Sequence, residues 1–299
     1  MICVRDRGRL CNNILQYGHL YAWGREHGRE TMSMRFAYKY RYFHICHTRH
    51  HHFLAYVAAK YAAKLRLLPV VSFDEPEADY SREEALMLSR RHIVAQGWYA
   101  RWYDLFLKYK EDIINLFAFD EAVRRGPDSL LARSAAAMQQ AVDRSHSSQQ
   151  DNGLPDNAQR HGDKGLLRLG VHVRRGDYAT WQGGRYLYTD RQYTALTHSF
   201  IRLHPEKTVQ VFVCGNDPSL QRSLYEEGLP QGSVVFPEGN PGEDLYLLSQ
   251  CDYLIGPPST FTLVAAMYRD LPLCWIEQPD KPLTEDCFSH FDDLFRHIR

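Results

Sequence analysis

The sequence predicts an α/β protein whose C-terminal half is a parallel sheet covered by helices on both faces. Apolar runs near 166–173, 208–213, 253–255 and 273–276 alternate with helical stretches near 190–203, 217–227, 243–250 and 260–268. Strand-helix alternation of this kind argues for parallel pairing. Polar clusters sit at the carboxyl ends of three of these strands, which is where ligands bind in such sheets. They are Arg174-Arg175-Gly176-Asp177, Cys214-Gly215-Asn216-Asp217 and Gly256-Pro257-Pro258-Ser259-Thr260. Convergence of three clusters on one edge is what a nucleotide site requires.

The first half is read in the same way. At 299 residues the chain accommodates two domains of ordinary size, each able to bury a core. Met1 to Arg5 forms a short strand that meets a polar turn, and Ile14, Leu15, Leu20 and Tyr21 mark an amphipathic helix to about His27. Leu54, Val57, Tyr61 and Leu65 keep helical spacing, as do Trp102, Leu105, Leu107 and later apolar residues through Phe119. Residues 1–145 are therefore expected to be largely helical after one β-α unit. Between Asp143 and Lys164 the composition turns polar and rich in turn formers, so 146–165 reads as an exposed linker. The second domain then spans 166–299.

Composition limits the partners. Lys plus Arg and Asp plus Glu balance at 36 each, so the chain as a whole is not a polycation for nucleic acid or a membrane surface. Phosphate recognition must be local. The first residues lack the apolar core of a signal peptide, and no run approaches the roughly 18 apolar residues of a membrane span. Seven cysteines are scattered through apolar runs without C-x-x-C spacing. They read as reduced core thiols, which places the chain in the cytoplasm.

The segment Gly170 to Tyr178, GVHVRRGDY, carries the most chemistry. Side chains alternate along a strand, so His172 and Arg174 point one way and Arg175 the other. Two arginines at a strand end offer a fixed positive fork suited to a diphosphate. The structural alternative is a salt-bridged strand end. In the Gly256 to Thr260 loop, consecutive prolines force the next helix to start at or just after Ser259. Its first N–H groups form an anion site backed by the positive helix end. The alternative there is that Ser259 is an N-cap, contributing about 1 kcal/mol. The sequence leaves both alternatives open.

With both clusters in hand, the chain resembles the fucosyltransferase superfamily of α-1,2-, α-1,6- and protein O-fucosyltransferases, and most of all the α-1,2-fucosyltransferases of glycosyltransferase family 11. VHVRRGDY is similar to the H-x-R-R-G-D-Y motif. Gly8 to Gly28 is similar to a G-R-x-G-N-Q stretch with its following helix, and Glu243 to Phe261 to a D-L-x-x-L-S-x-C-D segment with its Ser-rich loop. Gln96 to Phe119 looks like the aromatic segment of these enzymes. Cys11 stands where the family has Gly, and Asn13 where it has Gln. The loop reads Ser-Thr-Phe-Thr, nearer the protein O-fucosyltransferase spelling.

The resemblance implies a GT-B-like fold of two Rossmann-like domains, the C-terminal sheet binding the nucleotide and 1–145 forming the acceptor side. It implies an inverting transfer of L-fucose from GDP-β-L-fucose to a galactoside hydroxyl of a glycan, with no metal or other cofactor. The sequence contains no Asp-x-Asp triplet. Arg174 is expected to meet the β-phosphate, with Arg175 in the same donor site. His172 and Asp244 match positions that contact the nucleoside and the phosphate-binding arginine. Ser259, Thr260 and Phe261 match the donor loop. Gly8, Arg9 and Asn12 would reach donor and acceptor from the first domain. Asp177 is a candidate base or else a turn residue that pins the arginines, and no base is otherwise assigned. A lipid-linked acceptor would bring the chain to the inner face of a membrane. Another GDP-sugar as donor, or a silent nucleotide- or glycan-binding protein, remains open. The histidines from His44 to His52 read as a polar loop rather than a zinc site.

Overall fold

The computed structural model describes residues 1–35, 42–150, 165–215 and 217–298, with the backbone alone over 141–150. Two compact units result, Met1–Val123 with Phe295–Arg299, and Arg124–Leu294.

The first unit has more strands than the one β-α unit read from the sequence, although most of its regular structure is helical. It is built on a four-stranded parallel sheet of order β2-β1-β4-β3. The strands are β1 (Ile2–Arg5), β2 (Thr31–Ser33), β3 (Val70–Ser72) and β4 (Ile93–Gln96). Two of them, β2 and β3, are too short to show a period of two in the sequence, and in β4 Ile93, Val94 and Ala95 are buried in succession. A fully buried strand reads as an apolar run rather than an alternation. The helices are α1 (Leu10–Glu26), α2 (Phe53–Lys64), α3 (Tyr80–Ser89), α4 (Tyr103–Lys108) and α5 (Lys110–Leu116), and α6 (Glu121–Gln150) starts here and runs on into the second unit.

Nearly the whole of α1 is buried, including Cys11 and Asn13. Gly18 lets it approach α4, since a Cβ there would stand 2.4 Å from the Phe106 ring. The histidines near α2 have separate structural partners. His51 Nε2 accepts from the Ser33 backbone N–H at 2.9 Å, and His52 accepts from Ala55 N–H as the N-cap of α2. His47 faces Asp120 at 3.0 Å and His50 faces Glu30 at 3.4 Å. Among the described residues no cluster could hold a metal ion.

The expected linker differs at its start. Residues 146–150 continue α6, because the Ala-rich run ahead of them has high helix propensity. Residues 151–164 of that linker lie outside the described residues.

The second unit carries a five-stranded parallel sheet of order β7-β6-β5-β8-β9. The strands are β5 (Leu166–His172), β6 (Thr208–Cys214), β7 (Val234–Val235), β8 (Tyr253–Gly256) and β9 (Leu273–Trp275). The helices are α7 (Asp190–Leu203), α8 (Arg222–Glu226), α9 (Pro241–Ser249), α10 (Thr260–Met267) and α11 (Phe291–Phe295). Thr189 and Asn240 start α7 and α9 with reciprocal capping boxes. Gly170 allows the central strand to pass under α9, where a Cβ would meet Leu248 at 2.7 Å and Leu254 at 2.6 Å. From β5 the chain winds outward through β6 to β7, then returns to place β8 and β9 on the other side. The order therefore reverses between β5 and β8, which makes their carboxyl ends the switch point of the sheet.

Candidate active site

The two arginine- and proline-bearing segments lie on either side of that switch point. RRGDY continues from β5 and GPPST continues from β8, and β5 pairs with β8 directly. Two contacts join the segments. Tyr178 O–H donates to the Pro258 carbonyl at 2.7 Å, and the His172 ring stacks on Phe261 with centroids 4.8 Å apart and 22° between planes. Sequence reasoning did not single out Tyr178, although it closes the motif.

The arginines diverge, as alternation along the strand requires. Arg174 Nη2 pairs with Asp177 Oδ2 at 3.1 Å, and its guanidinium lies over the Tyr178 ring at 5.3 Å. Its Nε is buried with no partner. Arg175 is held by carboxylates from two other elements, Asp190 Oδ1 at 2.5 Å and Asp217 Oδ2 at 3.4 Å. Asp190 also accepts from Tyr225 O–H at 2.9 Å and Gln221 N–H at 3.2 Å. Arg175 is thus engaged within the fold.

Ser259 is the N-cap of α10. Its Oγ accepts from Phe261 N–H at 3.1 Å and Thr262 N–H at 3.4 Å, so its hydroxyl has a structural use. The helix itself begins at Thr260, directly after the two prolines. Its amino end sits at the carboxyl end of β8, where the helix dipole favours an anion.

His172 is buried, and burial together with the Arg174 charge pushes its pKa down to about 3. The ring is neutral at working pH, and its Nδ1 has no hydrogen-bond partner. Asp244, in the first turn of α9, is pushed up to about 7 by burial and by Glu243. Its Oδ1 is likewise buried without a partner, and its charge acts on the Cys214 thiol at the end of β6. Asp244 does not pair with Arg174; the carboxylate three residues on, Asp177, does. The side chains of His172, Arg174 and Asp244 therefore bring three unsatisfied buried polar atoms to one sheet edge. Each such atom costs about 1–3 kcal/mol when nothing pairs with it. Asn216 of the second polar cluster lies outside the described residues.

Gly8, Arg9 and Asn12 lie in the first unit, between the end of β1 and the first turn of α1. Gly8 adopts φ +99°, and a Cβ there would stand 3.0 Å from Asn12 Nδ2. Arg9 is the N-cap residue of α1. Gln16, which sequence reasoning missed, holds this turn by donating from Nε2 to Arg7 O at 2.6 Å.

The last residues of β1, β4 and β3 form a polar row on the same sheet. Arg5 donates to Gln96 at 3.0 Å, Gln96 donates to Asp74 at 2.7 Å, and Ser72 donates to Asp74 at 2.6 Å. Hydrogen bonds from Ser72 and Gln96, with Arg7 and Arg5 nearby, hold the Asp74 carboxyl below its ordinary pKa. Gly97, at φ +118°, lets the Trp98-Tyr99 strap lie against Phe73 and Asp74, where a Cβ would stand 2.1 Å from Phe73 C.

The switch point carries Arg174 and a helix amino end, an arrangement suited to an anionic ligand, and the chain has a GT-B-like fold, shared with solved fucosyltransferases. The NodZ α-1,6-fucosyltransferase co-crystallized with GDP, from the enzyme of Bradyrhizobium, aligns with TM-score 0.54 at 15% identity over 92% of this chain and 94% of that one. A mutant of Arabidopsis thaliana FUT1 in complex with GDP aligns with TM-score 0.57 at 13% identity, over 97% and 73%. Residues 152–270 match the model of Glycosyl transferase family 11. The galactoside 2-alpha-L-fucosyltransferase Sec1 of Mus musculus is 25% identical over 292 residues, 89% of this chain and 64% of its own length. The galactoside alpha-(1,2)-fucosyltransferase 2 of Mus musculus is 36% identical over 108 residues, 33% and 29%. The chain spans about half to two thirds of the length of the first curated relatives it matches, 64% and 48%.

Proposed function

We propose that the chain is an inverting fucosyltransferase that moves L-fucose from GDP-β-L-fucose to a galactoside hydroxyl of a glycan, forming an α-1,2 linkage without a metal ion. The observation that carries this reading is the set of unsatisfied buried atoms on His172, Arg174 and Asp244 at the edge that holds the β5–β8 switch point. A nucleoside diphosphate supplies partners for all three. Relatives named as galactoside α-(1,2)-fucosyltransferases support the fucosyl group and the linkage, and the NodZ structure soaked with GDP-fucose supports the donor.

In this reading the acceptor oxygen attacks C1 of fucose as the C1–O bond to the β-phosphate breaks, and GDP leaves with the bonding pair. Arg174 and the amino end of α10 stabilise the charge that develops on the leaving diphosphate, usually a large catalytic contribution. Asp177 positions Arg174. Phe261 and neutral His172 form one wall of the site, and Asp244 accepts hydrogen bonds from the nucleobase. Ser259 and Thr260 set the start of α10, and Arg175 fixes the strand end. Gly8, Arg9 and Asn12, with the Arg5–Gln96–Asp74 row, form the acceptor side in the first unit. The acceptor proton has no assigned base. Among the described residues no helix is long and apolar enough to cross a membrane; we place the chain in the cytoplasm, with a lipid-linked glycan as acceptor.

The test is incubation with labelled GDP-fucose and a panel of β-galactosides, with and without chelator. Transfer unaffected by chelator, with an α-1,2 linkage by NMR, is expected. Loss of transfer on chelation and recovery with manganese would contradict the metal-free reading. Nucleotide binding without transfer to any glycan would favour a binding protein.

A further inference from the structure

The helix α2 is packed the wrong way round for a surface helix. Its small residues face in, with Ala59 buried and Ala55 and Ala63 packed beside it against Cys3, Met32 and Val94. Its large apolar residues face out. Leu54 is 73% exposed, Tyr61 53% and Leu65 66%, and Ala58 is exposed between them. Positions 54, 58, 61 and 65 share one helix face, so the exposed residues form a continuous stripe. Phe53 and Leu67, at 62% and 70%, widen it at both ends. Exposed apolar patches of this kind mark interaction surfaces.

The surrounding charge selects the partner. No aspartate or glutamate occurs between Glu30 and Asp74, whereas Arg49, Lys60, Lys64 and Arg66 lie in or beside the helix. Lys60 and Lys64 are one turn apart and adjacent in sequence to Tyr61 and Leu65. A second copy of this chain would bring the same cations of the two helices together, and like charges facing each other oppose association. An anionic bilayer instead takes the apolar stripe among its acyl chains and the cations among its headgroups.

We propose that the α2 face docks the chain on an anionic membrane surface, with the helix lying in the interface. The proposal is independent of the chemistry of the donor site. It explains how a chain with balanced overall charge could find a membrane: Arg49, Lys60, Lys64 and Arg66 flank an apolar helix face within a stretch of sequence that holds no acid.

Flotation of the full chain with phosphatidylcholine vesicles, with and without phosphatidylglycerol, tests it. Binding to the anionic vesicles at low salt is expected, weakened at high salt where surface charges are screened. Each lysine near the surface contributes roughly a fivefold change in partitioning, so Lys60→Gln with Lys64→Gln should weaken binding by about 25-fold. Leu54→Asp with Leu65→Asp should abolish it. All four positions lie on α2 or at its C-cap, so the thermal midpoint of each variant is measured alongside, and an unchanged midpoint is expected. Equal binding to neutral and anionic vesicles, or none to either, overturns the proposal. A concentration-dependent dimer that Leu54→Asp with Leu65→Asp abolishes would assign the face to a second copy and overturn it too.

Discussion

Tyr178 O–H donates to the Pro258 carbonyl at 2.7 Å, which fastens the arginine-bearing turn after β5 to the loop that starts α10. The phenol is 6% exposed, so its hydrogen bond is made largely out of water. Tyr178→Phe should lose about 1 kcal/mol of stability while keeping the ring under Arg174. GDP affinity should fall several-fold, because the two anion-binding elements are then free to separate. Thermal melts and calorimetry on the same preparation check both. A stability loss with GDP affinity unchanged would show that the contact serves the fold alone.

Arg175 and Arg174 should separate by phenotype. Arg175 and Asp190 are 15% and 5% exposed as a pair, and removing one partner of a buried pair costs about 3–5 kcal/mol. Arg175→Ala should therefore lower the thermal midpoint sharply. Arg174→Lys should stay folded but lose most turnover, since lysine keeps the charge and lacks the planar fork. The loss should fall on kcat more than on KM if Arg174 acts on charge formed in the transition state. A folded, fully active Arg174→Lys would argue against the assignment.

Asp244 predicts opposite effects on stability and binding. Its carboxyl is near 7 in the folded chain, against an ordinary value of 3.8. The unfolded chain therefore loses this proton first, and folding stability attributable to the group falls as pH rises from about 4 to about 7. Asp244→Asn should raise the thermal midpoint above neutral pH, yet weaken GDP binding. Wild-type affinity for GDP should rise with pH through about 7. The β-phosphate titrates nearby, so the readout is the difference between wild type and Asp244→Asn. An identical pH dependence in both would remove Asp244 from the nucleobase site.

Asp74 and Gln96 should act on the acceptor and not on the donor. Asp74→Asn keeps the shape of the row but removes its charge, so the acceptor KM should rise several-fold with GDP affinity unchanged. Kinetics with varied acceptor at saturating donor give the answer. An unchanged acceptor KM would place the row among structural strand-end networks.

Much of the second unit is legible in the sequence because long elements carry their own signals. Seven-residue strands such as β5 and β6 show as apolar runs, and Pro257-Pro258 forces the start of α10. The first unit is less so. β2 and β3 contribute three residues each, which is too few for a periodicity, and their neighbours supply the pairing. Leu54, Val57, Tyr61 and Leu65 give the helix but not its inner face: the spacing reports a stripe, and only the packing of Ala55, Ala59 and Ala63 decides which side is inside. At the site, alternation separates Arg174 from Arg175 correctly. Asp177, the partner of Arg174, is legible within the motif; the carboxylate partners of Arg175 are not, since Asp190 and Asp217 belong to other elements, and the sequence does not decide whether Ser259 is cap or ligand.

The central claim, that the β5–β8 edge binds a guanosine diphosphate through Arg174, is tested most directly by calorimetric titration of GDP and UDP in the presence of chelator, with wild type and folded Arg174→Ala in parallel. The account predicts GDP binding by wild type, much weaker binding of UDP, and loss of GDP affinity by about tenfold or more in Arg174→Ala, in line with removal of a charge-assisted bidentate contact. Equal GDP affinity in the two proteins, or no preference for GDP over UDP, would contradict it.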